Sequence, residues 1–203
     1  MHRKTFQLIN AGLVQGLRLD HIDGLADPCA YLEKLKSHVG DTPVWVEKIL
    51  TGDEDLPDWG LAGTTGYEAA RQIARLLADG DGHAKLLAVW QDQTRRKGSF
   101  HDALMTAKHE VLRQDLAAEL QQMITIADAA AREAVIALLV AFPRYRTYLA
   151  SSANRPEDLA LMQSVANEAA RDLRTDNVVR LLTDCIVDPH TPEAQRLQVR
   201  FQQ

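Results

Sequence analysis

Two short apolar runs that each lead into a carboxylate constrain the fold of this chain more than any other feature. The runs Gly16 to Asp20 and Val44 to Ile49 have the length and composition of β-strands. Between them, Asp27 is predicted to cap a helix that has Pro28 at its first position and ends at Gly40. Parallel strands need a crossover of this kind, so the segment is predicted to be a parallel βαβ unit.

The remainder of the chain is predicted to be helical. Residues 51–66 carry glycines, prolines and acidic side chains without any period, which predicts a loop. Good helix formers then recur at helical spacing, and the predicted helices are 2–11, 67–78, 83–96, 100–123 and 127–141, with two or three more within 156–203. The pattern predicts a mainly α fold with a small parallel βαβ portion, divided into residues 1–67 and a helical subdomain of residues 68–203.

Composition narrows the function classes. The chain has 203 residues, 46% of them hydrophobic, which is enough for a substantial core. Its 23 basic and 28 acidic residues are interspersed without a basic stripe, so no nucleic-acid partner is expected. No apolar run reaches the roughly 20 residues of a membrane span, and the first residues lack a signal-peptide core, so a cytoplasmic location is expected. Cys29 and Cys185 are predicted to be reduced.

Asp20 and Glu47 are the candidate catalytic pair. Neighbouring parallel strands lie about 4.8 Å apart, so their ends bring two carboxylates close to the roughly 5 Å separation of retaining glycosidases. Side chains alternate along a strand, so Arg18 shares a face with Asp20, and Trp45 shares a face with Glu47. On spacing alone, ordinary strand ends in which Asp20 caps a turn and Glu47 is solvated are the commoner explanation.

Three other motifs also have a chemical and a structural interpretation. His21 with Asp23 resembles a metal pair but lacks a third ligand, so no metal is expected. The run Gly63 to Gly66 has no lysine after it, which argues against a phosphate loop and favours a flexible substrate-side loop. Tyr145 and Arg146 lie in an aromatic, guanidinium-rich run that suits either sugar binding or packing between helices.

Four motifs together resemble the maltooligosyltrehalose synthases, a family of the α-amylase clan. They are, in order, Gly16-Leu-Arg-Leu-Asp-His-Ile-Asp-Gly-Leu25, Val46-Glu-Lys-Ile-Leu50, Gly63-Thr-Thr-Gly-Tyr67 and Phe142-Pro-Arg-Tyr-Arg-Thr-Tyr148. The resemblance covers most of the chain. The first motif alone would indicate the clan, whereas the four in this order and spacing indicate the family.

The resemblance implies an intramolecular transglycosylation. In it, the reducing-end α-1,4 linkage of a maltooligosaccharide becomes an α,α-1,1 linkage, without a metal or organic cofactor. Asp20 matches the nucleophile of the clan and Glu47 matches the acid/base. The substrate contacts expected from the matching motifs are Arg18, which also supports the nucleophile, His21, Trp45, Tyr67, Tyr145 and Arg146.

The chain also departs from the family pattern. Ile22 stands where the family usually has proline, and a (β/α)₈ barrel needs about 250 residues, of which only two strands are recognisable here. Neither the early Asp/Asn-His motif of the clan nor its third carboxylate is present. We therefore expect a central fragment of the barrel with a helical insertion, inactive by itself and prone to self-association through surfaces that the barrel would cover.

Two alternatives remain open at this point. One is another hydrolase or transglycosidase of the α-amylase clan. The other is a non-catalytic helical interaction module, which a separation of more than about 10 Å between Asp20 and Glu47 would favour.

Overall fold

The computed structural model describes residues 2–52, 54–149 and 154–203 and separates into two compact units that divide between Gly80 and Asp81. The model is mainly α-helical with one small parallel sheet, as the sequence predicts. The boundary predicted after residue 67 stays a prediction. It marks the point in the first unit where the sheet gives way to helices.

The first unit contains the whole sheet. Its elements are α1 (Arg3–Asn10), β1 (Leu17–Leu19), a 3₁₀ turn (Ile22–Gly24), α2 (Pro28–Val39), β2 (Val44–Val46), β3 (Gly63–Thr64) and α3 (Tyr67–Leu77). Strand β2 is central, with β1 and β3 parallel to it on either side. Leu17 is opposite Val44 and Arg18 is opposite Trp45, which fixes the register of the first pair.

Helix α2 forms where the capping residues predict it. The Asp27 side chain accepts a hydrogen bond from the Ala30 N–H at 2.9 Å, and Pro28 occupies the first turn. Gly40 follows the helix with φ +57°, a conformation that other residues rarely adopt. The predicted caps are therefore confirmed at both ends.

One face of the sheet is covered and the other is open within this unit. Val44 and Val46 are buried against α2, where they contact an apolar stripe that contains Leu32, Leu35 and Val39. Since side chains alternate along β2, Trp45 projects from the opposite face, and it is 37% exposed. The polar side chains of the strand ends lie on that open face.

Two expectations about the first unit and its end were wrong. Gly63–Thr64 is a strand rather than part of a loop, because it pairs with β2. The sequence did not predict this strand because two residues are too few to show alternation. The predicted break at residues 79–82 is also shorter than expected, since helix α4 (Gly80–Thr94) begins at the first of its glycines. The predicted loop includes Asp53, which lies outside the described residues.

The second unit is a helical bundle. After α4 it contains α5 (Phe100–Arg113), α6 (Ala117–Ala127), a 3₁₀ turn (Ala129–Ala131), α7 (Arg132–Ala141), α8 (Pro156–Leu173), α9 (Asn177–Val187) and α10 (Pro192–Gln202). Helix α7 is its centre and packs most extensively against α8. The most deeply buried side chains of this core include Leu138, Met162, Ala169 and Val179, each with no measurable exposure.

The helix predicted over residues 100–123 is two helices. Ser99 and Asp102 form the predicted capping box at the start of α5, but the helix ends at Arg113 and a new one starts at Ala117. At the join, the Leu116 N–H bonds the Val111 carbonyl instead of continuing the regular ladder. The residues on both sides are good helix formers, so packing of α6 against α7 and α10, and not propensity, sets the break.

Replacing Leu138 with Ala should destabilise the second unit. The side chain is fully buried in α7, and truncating a buried Leu typically costs about 2–5 kcal/mol. Urea denaturation followed by circular dichroism at 222 nm measures the change. The matched control is Leu181→Ala on α9, whose side chain is 67% exposed and whose loss should cost less than about 0.5 kcal/mol. Equal effects of the two substitutions would contradict the placement of this core.

Candidate active site

Asp20 and Glu47 follow neighbouring parallel strands and lie side by side at their carboxyl ends. Asp20 comes directly after β1, and Glu47 directly after β2. The Glu47 N–H donates to the Leu19 carbonyl at 2.7 Å, which extends the backbone ladder one step past the end of β2. The two carboxylates therefore start from paired backbone positions on the same open face.

Arg18 contacts both carboxylates. Its Nη1 forms a short hydrogen bond with Oδ1 of Asp20, and its Nη2 lies 3.4 Å from Oε1 of Glu47. A guanidinium presents several donors in a fixed plane, so one arginine can orient two acids at once. This contact brings the two carboxylates within reach of one small group, far closer than the separation of about 10 Å that would favour a non-catalytic module.

The surroundings of Asp20 favour its ionised form. The hydrogen bond from Arg18 is the largest cause that lowers the pKa of the Asp20 carboxyl, and a hydrogen bond with Glu47 lowers it further. The same contact with Asp20 raises the pKa of Arg18. The Asp20 side chain is 72% exposed, so its carboxylate is open to a ligand from the solvent side.

Glu47 is more enclosed than Asp20 and has further polar contacts. Its side chain is 24% exposed. The backbone N–H of His21 donates to Oε2 at 3.0 Å, and the hydroxyl of Tyr67 donates to Oε1 at 3.3 Å. Three elements, the ends of β1 and β2 and the start of α3, thus converge on one carboxyl group.

His21 has a backbone conformation that is uncommon for a residue other than glycine. Its φ of 48° and ψ of 49° are left-handed, and the 3₁₀ turn Ile22–Gly24 follows at once. The imidazole lies against Gly24, where a Cβ would come within 2.8 Å of Cε1. Glycine is therefore required at position 24 for the ring to stay in this place.

A cavity of about 390 Å³ opens beside these groups. Arg18, Asp20 and His21 line its polar side, and Leu17, Leu25 and Tyr31 contribute to its apolar side. The cavity extends along β1 towards α1 and α2, where His2 and Thr5 also line it, whereas Glu47 is not among its lining residues.

Trp45 lies flat on the same open face as the carboxylates, across all three strands. A Cβ on Gly16 would come within 2.8 Å of the indole Cζ3, and one on Gly63 would lie 3.7 Å from Cδ1. Gly63 also has φ +145°, which disfavours any side chain there. Gly16 therefore leaves room for the ring, and Trp45 lies on the same face of β2 as Glu47, as the sequence predicts.

Tyr145 and Arg146 lie in the second unit, in the segment that follows α7. Tyr145 is 54% exposed, whereas Arg146 is 2% exposed and donates to the Thr147 carbonyl at 3.0 Å. The Arg146 guanidinium also lies 5.1 Å from the centre of the Tyr148 ring. These contacts of Arg146 are internal to the unit, so a sugar-binding role for either residue stays a prediction.

Buried polar groups that the sequence patterns did not reveal fix this segment. The side-chain amide of Gln202 accepts from the Leu149 N–H at 2.6 Å and donates to the Leu149 carbonyl at 2.8 Å. Asp158 accepts from the Tyr148 N–H at 3.1 Å, and burial raises the pKa of its carboxyl. In the sequence, the available signal for these buried groups was polar residues among apolar helix positions. Their hydrogen-bond partners are visible only in the folded structure.

A buried ion cluster in the first unit was overlooked as well. Lys48 forms ion pairs with Asp23 and Glu54, and all three side chains are almost fully buried. A lysine within the apolar run Val46 to Leu50 was the signal for it. The Asp23 carboxylate therefore faces Lys48, and no group of three or more metal-ligating side chains occurs among the described residues.

The fold and site indicate a class. Carboxylates at the carboxyl ends of parallel strands lie where (β/α)₈ enzymes carry their active sites, and a close pair of carboxylates is what a retaining glycosidase uses. No described helix combines the length and apolar character that a membrane span requires.

Comparisons with known proteins identify the family more closely. No family model matches the chain. A Mycobacterium tuberculosis protein curated as "Putative maltooligosyl trehalose synthase" is 34% identical in an alignment of length 183 that covers 85% of this chain and 24% of that protein. The solved maltooligosyltrehalose synthase of Arthrobacter ramosus matches with a TM-score of 0.87 and 29% identity over 99% of this chain and 26% of its own. A mutant of that enzyme matches over the same shares with a TM-score of 0.84 and 31% identity.

The chain therefore matches a segment of maltooligosyltrehalose synthases, and the resemblance that the four motifs indicate is confirmed in both sequence and structure. The chain spans about a quarter of the length of the relatives that it matches.

Replacing Arg18 with Gln should raise the pKa of Asp20 toward the ordinary value of a carboxyl, because the guanidinium is the largest cause of the lowering. Because the pKa of Asp20 is lowered in the folded chain, ionised Asp20 stabilises the fold at pH values above the unfolded-state pKa. That stabilisation disappears as pH falls through the folded-state pKa, and the substitution should reduce it.

Carbon-13 NMR of the Asp20 carboxyl during a pH titration measures this shift. The matched control is Arg95→Gln, which breaks the exposed pair with Asp92 and should leave Asp20 unchanged. A pKa that stays the same after Arg18→Gln would contradict the arrangement.

Proposed function

We propose that this chain supplies the nucleophile and the acid/base of an enzyme that converts the reducing-end α-1,4 linkage of a maltooligosaccharide into an α,α-1,1 linkage. One observation carries the proposal. Asp20 and Glu47 are joined through Arg18 at the ends of parallel strands, in a chain that matches maltooligosyltrehalose synthases along most of its length. The substrate class is the one that the names of those relatives state.

In the first half-reaction, Asp20 is the nucleophile. Its Oδ attacks the anomeric carbon of the penultimate glucose while the bond from that carbon to the O4 of the terminal glucose breaks, and Glu47 gives its proton to O4. The lowered pKa of Asp20 keeps the attacking carboxylate ionised. The product is a glycosyl ester on Asp20, with the terminal glucose released but still in the site.

In the second half-reaction, the terminal glucose returns through a different oxygen. Glu47, now ionised, takes the proton from the anomeric hydroxyl of that glucose as its oxygen attacks the glycosyl ester. The bond to Asp20 breaks, an α,α-1,1 linkage forms, and both carboxyl groups regain their initial states. No water is consumed, so the reaction is an isomerisation.

The remaining side chains would bind the sugar. Trp45 offers an aromatic face next to Glu47, and His21 and Tyr67 adjoin the same carboxyl group. For Tyr145 and Arg146 in the second unit, the sugar-binding role expected from their motif stays a prediction. The third carboxylate of the clan has no counterpart among the motifs of this chain, so the reaction would need residues beyond those that the chain contributes.

Hydrolysis is the second candidate function, and one observation favours it. The Asp20 side chain is 72% exposed, so water could reach a glycosyl ester formed there. The two reactions differ in their products, because hydrolysis creates new reducing ends whereas the isomerisation removes the one that is present.

The 203-residue chain alone should convert maltopentaose to no detectable trehalose-capped product, because two carboxylates without the third do not complete the clan's site. Chromatography of the sugars after prolonged incubation measures this. Turnover at the rate of the Arthrobacter ramosus enzyme would contradict the expectation.

A chimaera tests the proposed roles directly. The matching segment of the Arthrobacter ramosus enzyme is replaced by this chain, and the chimaera should lose reducing ends from maltopentaose while it forms a trehalose-capped product. Asp20→Asn in the chimaera should lower kcat by at least about 10³-fold, and Glu47→Gln by about 10²–10⁴-fold.

The control variant is Asp115→Asn, an exposed carboxyl in the second unit, which should leave kcat unchanged. A folded chimaera that keeps its activity after Asp20→Asn would refute the assignment of the nucleophile. A gain in reducing ends would instead support the hydrolase.

A further inference from the structure

Lys48 is a buried lysine directly after the proposed acid/base. Side chains on successive extended residues point to opposite faces, so Glu47 lies on the open face and Lys48 enters the interior. The Lys48 side chain has no measurable exposure. A buried ammonium is kept only where charged or polar partners compensate for its lost hydration.

Two buried carboxylates provide that compensation, and each comes from a different loop. Nζ of Lys48 lies 2.7 Å from Oε1 of Glu54, in the loop after β2, and 3.4 Å from Oδ2 of Asp23, in the 3₁₀ turn after β1. The other oxygen of Glu54 accepts from the Thr51 N–H at 3.2 Å. Lys48 thus joins the two loops that leave the two catalytic strand ends.

The turn that contains Asp23 begins at His21, whose left-handed backbone is unfavourable for a residue other than glycine. This conformation aims the His21 N–H at Oε2 of Glu47, 3.0 Å away. A strained residue persists only where neighbouring contacts hold it. Burial of Ile22 supplies one such contact, and the ion pair of Asp23 with Lys48 supplies another.

We infer that Lys48 is a positioning residue: by binding Asp23 and Glu54 from below the sheet, it holds the turn after β1 so that His21 presents its N–H to Glu47. Lys48 would then fix the orientation of the neighbouring Glu47 carboxyl group indirectly, through Asp23 and the turn that carries His21. The importance of this orientation for catalysis rests on the proposed function, whereas the contact itself does not.

NMR of the isotope-labelled 203-residue chain tests the inference, because the His21 amide proton reports ionisation of its acceptor. Its chemical shift should change with pH, and the response is the part of this change that Glu47→Gln removes, because the His21 imidazole and the Asp20 carboxyl also contribute to the total. Lys48→Met should reduce the amplitude by at least half. The control Lys34→Met, at an exposed position of α2, should leave it unchanged.

Lys48→Met leaves two buried carboxylates without their cationic partner, so the variant Lys48→Met/Asp23→Asn/Glu54→Gln, which removes all three charges, is measured beside it. A folded triple variant that has lost the His21 response supports the positioning role. A folded triple variant that keeps the response overturns it, and so does unfolding of both variants, which would make Lys48 a stabilising residue only.

A change with pH that is the same in Glu47→Gln as in the unaltered chain would also overturn the inference, because the His21 amide would then not be reporting Glu47. None of these readouts depends on turnover. The inference can therefore fail while the chimaera is active, and it can hold while the chimaera is inactive.

Discussion

The parallel pairing of β1 with β2 is the interaction on which the site depends. A single hydrogen bond beyond the strands, from the Glu47 N–H to the Leu19 carbonyl at 2.7 Å, extends the pairing to Glu47, the proposed acid/base. Because this backbone bond sets the starting points of both proposed catalytic side chains, the guanidinium of Arg18 can reach both carboxylates. A slip of one residue in this register would turn Trp45 inward and its valine neighbours outward.

The sequence predicted the parts of this molecule that local rules decide. The caps of α2, the alternation in the first two strands and the capping box of α5 each follow from residues within a few positions of one another, and all were found. The pair Asp20 and Glu47 was found for the same reason, since strand alternation and the crossover rule suffice to bring them together.

Features decided by distant contacts were missed. Strand β3 exists because β2 pairs with it, and the break between α5 and α6 follows the packing of other helices. The apolar neighbours of Lys48 and Gln202 in the sequence could indicate burial, but not the partners of these residues, which lie far away along the chain or across a loop. The partner of a buried polar group depends on the tertiary fold, which no local pattern encodes.

Trp45 and the two glycines that flank it across the sheet act as a single packing unit. The indole occupies the space that a side chain at position 16 would otherwise fill, whereas a Cβ at position 63 would only touch it. A smaller residue at position 45 would release position 16 to accept a side chain, whereas position 63 would still require glycine because of its backbone conformation. During evolution, position 16 is therefore free to change only after position 45 has changed. Position 63 is expected to stay glycine whether or not position 45 changes.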